Sequence, residues 1–235
     1  MGSADWTDAT DSQSTSSVRR SVTAGFARAP GGGTFLYGFA SVDATPGVVA
    51  RYCTLSGTVP TTKGGDISCA MQRASQSVAK TGFAPFLFFC LQGTDVSDNA
   101  YILGLADGDP PHLVLRKGSL AGGLPDGPPA PTTTGILGQS TDTYAMGTWY
   151  QVKLEVVVNT NGDVVINCYQ SDLTANLVSA PVWMPISGLP QFVDDALGVN
   201  SGSLPYAGGH LGYAFASHAT GMVAFFDEIQ PDVQL

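Results

Sequence analysis

TWYQVKLEVVVNTNGDVVINCYQ, residues 148–170, is the stretch from which the fold is read. Tyr150, Val152, Leu154, Val156 and Val158 alternate with Gln151, Lys153 and Glu155, the period-two pattern of an antiparallel strand with one face in a core and the other in water. NTNG then supplies Asn and Gly for the positive-φ positions of a tight turn, and DVVINCYQ returns as the partner strand. The spacing predicts a β-hairpin.

Outward from this hairpin the same signals recur along the chain. SVTAGFA, TFLYGFASV, GVVARYCTL, DISCAMQRA, FAPFLFFCLQ, AYILGLA and HLVLRKG precede it, and GHLGYAFAS and MVAFFDEIQ follow it, each bounded by turn residues. About eleven strands and scarcely a helix predict an all-β chain: a two-sheet antiparallel sandwich or a barrel. LPQFVDDALG (189–198) reads as one helical turn. The Pro-rich segment 122–135 reads as a surface loop inside one domain, since neither half carries a full set of core faces. Residues 1–17, rich in Ser, Thr and Asp, read as a flexible or extended arm anchored by Trp6; residues 18–235 read as a single sandwich domain. In FAPFLFFCLQ both faces are apolar, with Phe83, Leu87, Phe89 and Leu91 on one and Phe86, Phe88 and Cys90 on the other. The second face needs a cover, either a long loop or another subunit, so Phe86 and Phe88 are candidate subunit contacts. Trp6 and the Arg19–Arg20 pair are the others.

Of 235 residues only 12% are charged, Gly numbers 29 and Pro 15, and the formal net charge is -9. Ten Lys and Arg in total exclude a phosphate-tracking nucleic-acid surface and disfavour an anionic membrane. No basic start leads into an apolar leader, and the longest strongly apolar run, residues 83–91, is too short to cross a bilayer as a helix; the expectation is a product made in the cytoplasm. Cys53, Cys69, Cys90 and Cys168 show neither C-x-x-C spacing nor a neighbouring His cluster, and read as buried thiols.

The order GTWYQVKLEVVVNTNGDVVINCYQ, PVW, DDALGVNSGSLPYAGGHLGYAFAS and VAFFDEIQ resembles the later part of concanavalin A-like lectin/glucanase jelly rolls, the laminin-G type included. The resemblance implies a two-sheet jelly-roll sandwich. LVLRKGSLAGGLPD and DDALGVNSGSLPYAGG also look like tailed-bacteriophage virion proteins of this fold. That implies a non-enzymatic particle component, on the capsid or tail, whose partners are other virion proteins and further copies of itself. The alternative is a lectin-like module that recognises a surface polysaccharide.

Glycoside hydrolases of this fold set two carboxylates on alternate residues of one strand, about 5–5.5 Å apart in retaining enzymes. Here the only glutamates are Glu155 and Glu228, neither with a carboxylate at i+2. Asp227 and Glu228 are adjacent, so a regular strand turns them to opposite faces. His112, His210 and His218 lie near strand starts and turns, and no G-x-S-x-G or P-loop is present. No catalytic residue and no cofactor is expected. The resembled fold often holds Ca²⁺ on rim aspartates; Asp95–Asp98–Asn99, Asp107–Asp109 and Asp194–Asp195 with Asn200 are the oxygen-rich loops, and ordinary Asx turns account for them. A glycan would need aromatic platforms beside loops, for which Trp183, Tyr206 and Tyr144 are the candidates.

Overall fold

In a computed structural model, residues 5–8, 18–23, 36–41, 47–54, 64–73, 85–106, 111–120, 135–171, 181–198, 200–217 and 223–233 are described. They form strands β1 (Asp5–Asp8), β2 (Val18–Thr23), β3 (Leu36–Ser41), β4 (Gly47–Thr54), β5 (Gly65–Arg73), β6 (Phe86–Leu91), β7 (Asn99–Ala106) and β8 (His112–Ser119). The later strands are β9 (Ile136–Thr143), β10 (Tyr150–Val158), β11 (Val164–Ser171), β12 (Met184–Pro185), β13 (Phe192–Asp194), β14 (His210–Ser217) and β15 (Val223–Val233). Among the described residues there is no helix.

The strands make two antiparallel sheets. One runs β1-β4-β14-β6-β7-β8-β9; the other runs β12-β11-β10-β5-β15-β3-β2, with β13 also paired to β11. The predicted hairpin is β10–β11, closed by Asn159, whose side-chain oxygen accepts the backbone N–H groups of Asn161 and Asp163, and by Gly162 at φ +87°. Val152, Leu154 and Val156 are fully buried while Lys153 and Glu155 are half-buried on the opposite face. They meet Ile67, Met71, Val164, Ile166 and Phe226 of their own sheet and Leu87, Leu103, Leu115, Tyr213 and Phe215 of the other. Burying each such side chain contributes roughly 1.5–3 kcal/mol, and this inter-sheet layer is the main core.

A second apolar layer lies on the far side of the seven-stranded sheet. Phe86, Phe88, Leu91, Ala100, Ile102, Val114 and Ala214 form it, with Val96 and Leu120 packed from the adjoining turns. Strict alternation assigns Cys90 to this layer and Leu91 to the main core; the structure reverses both. The cause is a β-bulge: His210 pairs Leu91 but Gly212 pairs Phe88, so β6 carries one residue more than β14, and Cys90 takes the left-handed value φ +57°. Phe86 and Phe88 are 0% exposed in the single chain, so the second face of β6 is covered without another subunit and neither ring is available as a contact.

LPQFVDDALG contains no helical turn. Val193 pairs Val165 in β13, where the β11 edge satisfies backbone groups that one isolated turn would leave open. β8 and β9, on either side of the Pro-rich segment, are neighbours in one sheet. Within residues 1–17, Asp5–Asp8 is extended along β4, with Trp6 opposite Cys53.

Candidate functional site

The outward face of the eight-stranded sheet brings together residues that no local motif joins. Glu155 on β10 stands directly opposite Asp66 on β5 and Asn167 on β11; two residues along, Lys153 stands opposite Ser68 and Tyr169. The Lys153 ammonium lies 3.7 Å from a carboxylate oxygen of both Asp66 and Glu155. It also lies 4.7 Å from the Tyr169 ring centre and 5.4 Å from that of Trp183, close enough for cation–π attraction to both. Asn167 donates its amide to Glu155 (2.9 Å), and Gln191 donates to Asn167 (3.0 Å). Burial, the nearby Glu155 charge and a hydrogen bond to that carboxylate raise the Tyr169 phenol. The result is two aromatic rings and a connected row of acceptors and donors on a half-exposed sheet face.

Trp183 reaches this face because β12 pairs antiparallel to β11, Pro185 opposite Tyr169. Of the three aromatic candidates Trp183, Tyr206 and Tyr144, it is the one that lies beside Lys153 on this half-buried polar face. A motif search along single strands misses the Asp66–Glu155 pair, since its members lie on neighbouring strands far apart in sequence. The only earlier signal was the outward alternation of Lys153 and Glu155. The Lys153 ammonium bridges the two carboxylates of the pair.

Tyr206 belongs elsewhere. Lys117 on β8 and Asp194 on β13 form a 2.7 Å ion pair between the sheets, their side chains 2% and 0% exposed. Asp194 also accepts hydrogen bonds from Tyr101 (2.5 Å) and Ser201 (2.6 Å), while the ammonium donates to Ser201 Oγ, Ser203 O and Leu204 O. Tyr206 caps this cluster, its ring 4.8 Å from Lys117 Nζ and 5.3 Å from the Tyr101 ring, and its N–H bonded to the Tyr101 hydroxyl. Burial and the bond to Asp194 push the Tyr101 phenol far up. The cluster pins residues 201–206 to the sandwich, and Asp194, in one of the oxygen-rich loops, has the Lys117 ammonium as its cation.

Asp195 accepts the N–H of Leu197 and Asp95 that of Ser97, as Asx turns do; Asp107–Asp109 lie outside the described residues. Among the described residues no group of three or more His, Cys, Asp or Glu is arranged to hold a metal ion. Tyr144 is 2% exposed, bonded to Gln170 and edge-on to Tyr150, so it is a core residue and not a platform. Cys69, Cys90 and Cys168 are buried and form no disulfide; the Cys53 side chain lies outside the described residues. Arg19 and Arg20 lie on β2, the outermost strand of the eight-stranded sheet, as Trp6 lies on the outermost strand of the other; none of the three side chains is among those described. Asp227 pairs Ala70 just before a bulge in β15, and the Asp227 and Glu228 side chains are likewise outside the description.

The two sheets, their order and their shared core define a jelly-roll sandwich of the concanavalin A-like lectin/glucanase type. No protein-family profile matches the chain, and no curated protein does. Among solved structures it is similar to a PL-14 alginate lyase from the marine Aplysia kurodai, at 11% identity and a TM-score of 0.53 over 92% of this chain and 87% of that one. It is also similar to a carbohydrate esterase from Shiga toxin-encoding bacteriophage phi24B (13% identity, TM-score 0.49, 98% and 90% covered). A third is the carbohydrate-binding module CBM66 from Bacillus subtilis (10% identity, TM-score 0.46, 99% and 98% covered). At these identities the likeness speaks for the fold alone.

Proposed function

We propose that the protein is a non-catalytic carbohydrate-binding domain whose glycan face is the outward side of β5, β10 and β11. One observation carries the reading: Trp183 and Tyr169 flank Lys153 on the same face as Asp66, Glu155, Asn167 and Gln191. Sugar rings present apolar C–H faces and hydroxyl edges, which aromatic rings and a row of carboxylates and carboxamides complement. Affinity electrophoresis of the whole chain through gels cast with different polysaccharides tests this. Trp183→Ala is expected to abolish retardation while leaving the thermal melt within a few degrees; equal retardation of wild type and variant would refute the assignment.

The second reading, a structural component of a tailed-phage particle, is favoured by one further feature. Leu197 and Leu204 are 82% and 68% exposed on the loop that Lys117 holds, where Gly198 lies against Ser203 and Leu204. Two large apolar side chains held at one rim suit a contact with another copy or another virion protein. On this reading the protein is located in the virion, and the outermost strands with Trp6, Arg19 and Arg20 offer further pairing edges. Sedimentation of wild type and of Leu197→Asp/Leu204→Asp at micromolar concentration tests it. A larger species that the substitutions dissociate supports the reading; a monomer in both cases counts against self-assembly.

A further inference from the structure

Resting on the assignment of the Trp183 face as the glycan site, we propose that this face selects uncharged hexose polymers and rejects acidic ones. The cross-strand register sets Asp232, Asp66, Glu155 and Asn167 in one row over four strands, β15, β5, β10 and β11. Lys153 is the cation in the adjoining row, and it is not free. Its ammonium is within 3.7 Å of both the Asp66 and Glu155 carboxylates, lies over two rings, and belongs to a side chain only 15% exposed.

A uronate or sulfate is held by donors with charge to spare, such as an Arg fork or an unpaired ammonium. Here it would displace neither carboxylate without exposing one of them to a like charge. The net charge of -9 adds a repulsive field that reaches the approaching polymer before contact. A neutral hexose meets the opposite conditions. Its paired hydroxyls donate to the Asp66 and Glu155 carboxylates in charge-assisted hydrogen bonds, and Asn167 and Gln191 both donate and accept. Trp183 and Tyr169 take the ring faces.

The experiment measures binding of the full chain to a neutral glucan or mannan and to alginate or hyaluronan of matched length, at low and moderate salt. Wild type is expected to bind a neutral polymer at least about tenfold more tightly than either acidic one. In Asp66→Asn/Glu155→Gln, which removes two negative charges and leaves Lys153 unpaired, binding to the acidic polymers should appear and should weaken with salt. The single variants Asp66→Asn and Glu155→Gln give the same trend in smaller steps and serve if the double variant does not fold. Preference of wild type for an acidic polymer, or acidic binding unchanged in every variant, overturns the charge selection and leaves the glycan site standing. Failure of wild type to bind any polymer overturns the site itself, and this inference with it.

Discussion

The ion pair between Lys117 and Asp194 provides the sharpest measurement of how the sandwich is closed. The Asp194 carboxylate lies at 0% side-chain exposure, matched by the Lys117 ammonium at 2.7 Å and by the hydroxyls of Tyr101 and Ser201. Asp194→Ala leaves the ammonium buried with only Ser201, Ser203 and Leu204 as acceptors. An uncompensated buried charge of this kind costs about 3–5 kcal/mol, against a total stability of about 5–15 kcal/mol for a domain. With a urea m-value of about 3 kcal/mol/M, the midpoint should fall by more than about 1 M. Lys117→Met should cost a comparable amount by leaving the carboxylate without its cation. Lys117→Met/Asp194→Ala removes both charges and should cost no more than the worse single variant, giving a coupling of about 2 kcal/mol or more in a double-mutant cycle. Burial predicts the same coupling at low and high salt. Additivity of the two single effects within about 0.5 kcal/mol would refute the account.

Burial pushes the Cys168 thiol up to about 12 and the Cys90 thiol further still. In the unfolded chain thiols ionise near about 8.5, so above that pH the unfolded state binds fewer protons and stability falls as pH rises. Urea melts should be level below about pH 8 and then lose about 1.4 kcal/mol per pH unit for each thiol through about pH 9–11; Cys90→Ala/Cys168→Ala, less stable at neutral pH, should show a flatter slope. A Cβ on Gly64, at φ +93°, would overlap the Val156 carbonyl oxygen, so Gly64→Ala should cost on the order of 3 kcal/mol by chemical denaturation. Cys69, Cys90 and Cys168 should not react with an aromatic disulfide reagent until denaturant is added, which absorbance of the released thiolate would report.

Strands that alternate strongly were legible one by one: β10 and β11 from residues 148–170, β7 and β8 from AYILGLA and HLVLRKG. Four strands were not. β9 is ILGQSTDT, mostly polar and exposed at an edge, while β12 and β13 have only two and three residues and exist because β11 offers them a ladder. β1 lies in a Ser- and Asp-rich segment without strand period, and its pairing with β4 is a tertiary fact.

What the residues determine by themselves is the class of structure, because alternation of apolar and polar side chains is a property of neighbours along one strand and needs no knowledge of the partner. The candidate glycan face obeys another rule. Asp66, Glu155, Asn167 and Trp183 are neighbours only through the registers of β5, β10, β11 and β12, and register is settled when every strand turns its apolar set toward the shared core. The same holds for Lys117 and Asp194, whose pairing requires two sheets to be stacked first, and for Cys90 and Leu91, whose exchange of faces follows from one extra residue opposite β14. Local chemistry chose sandwich over bundle; burial of the inner faces chose which outward side chains would meet.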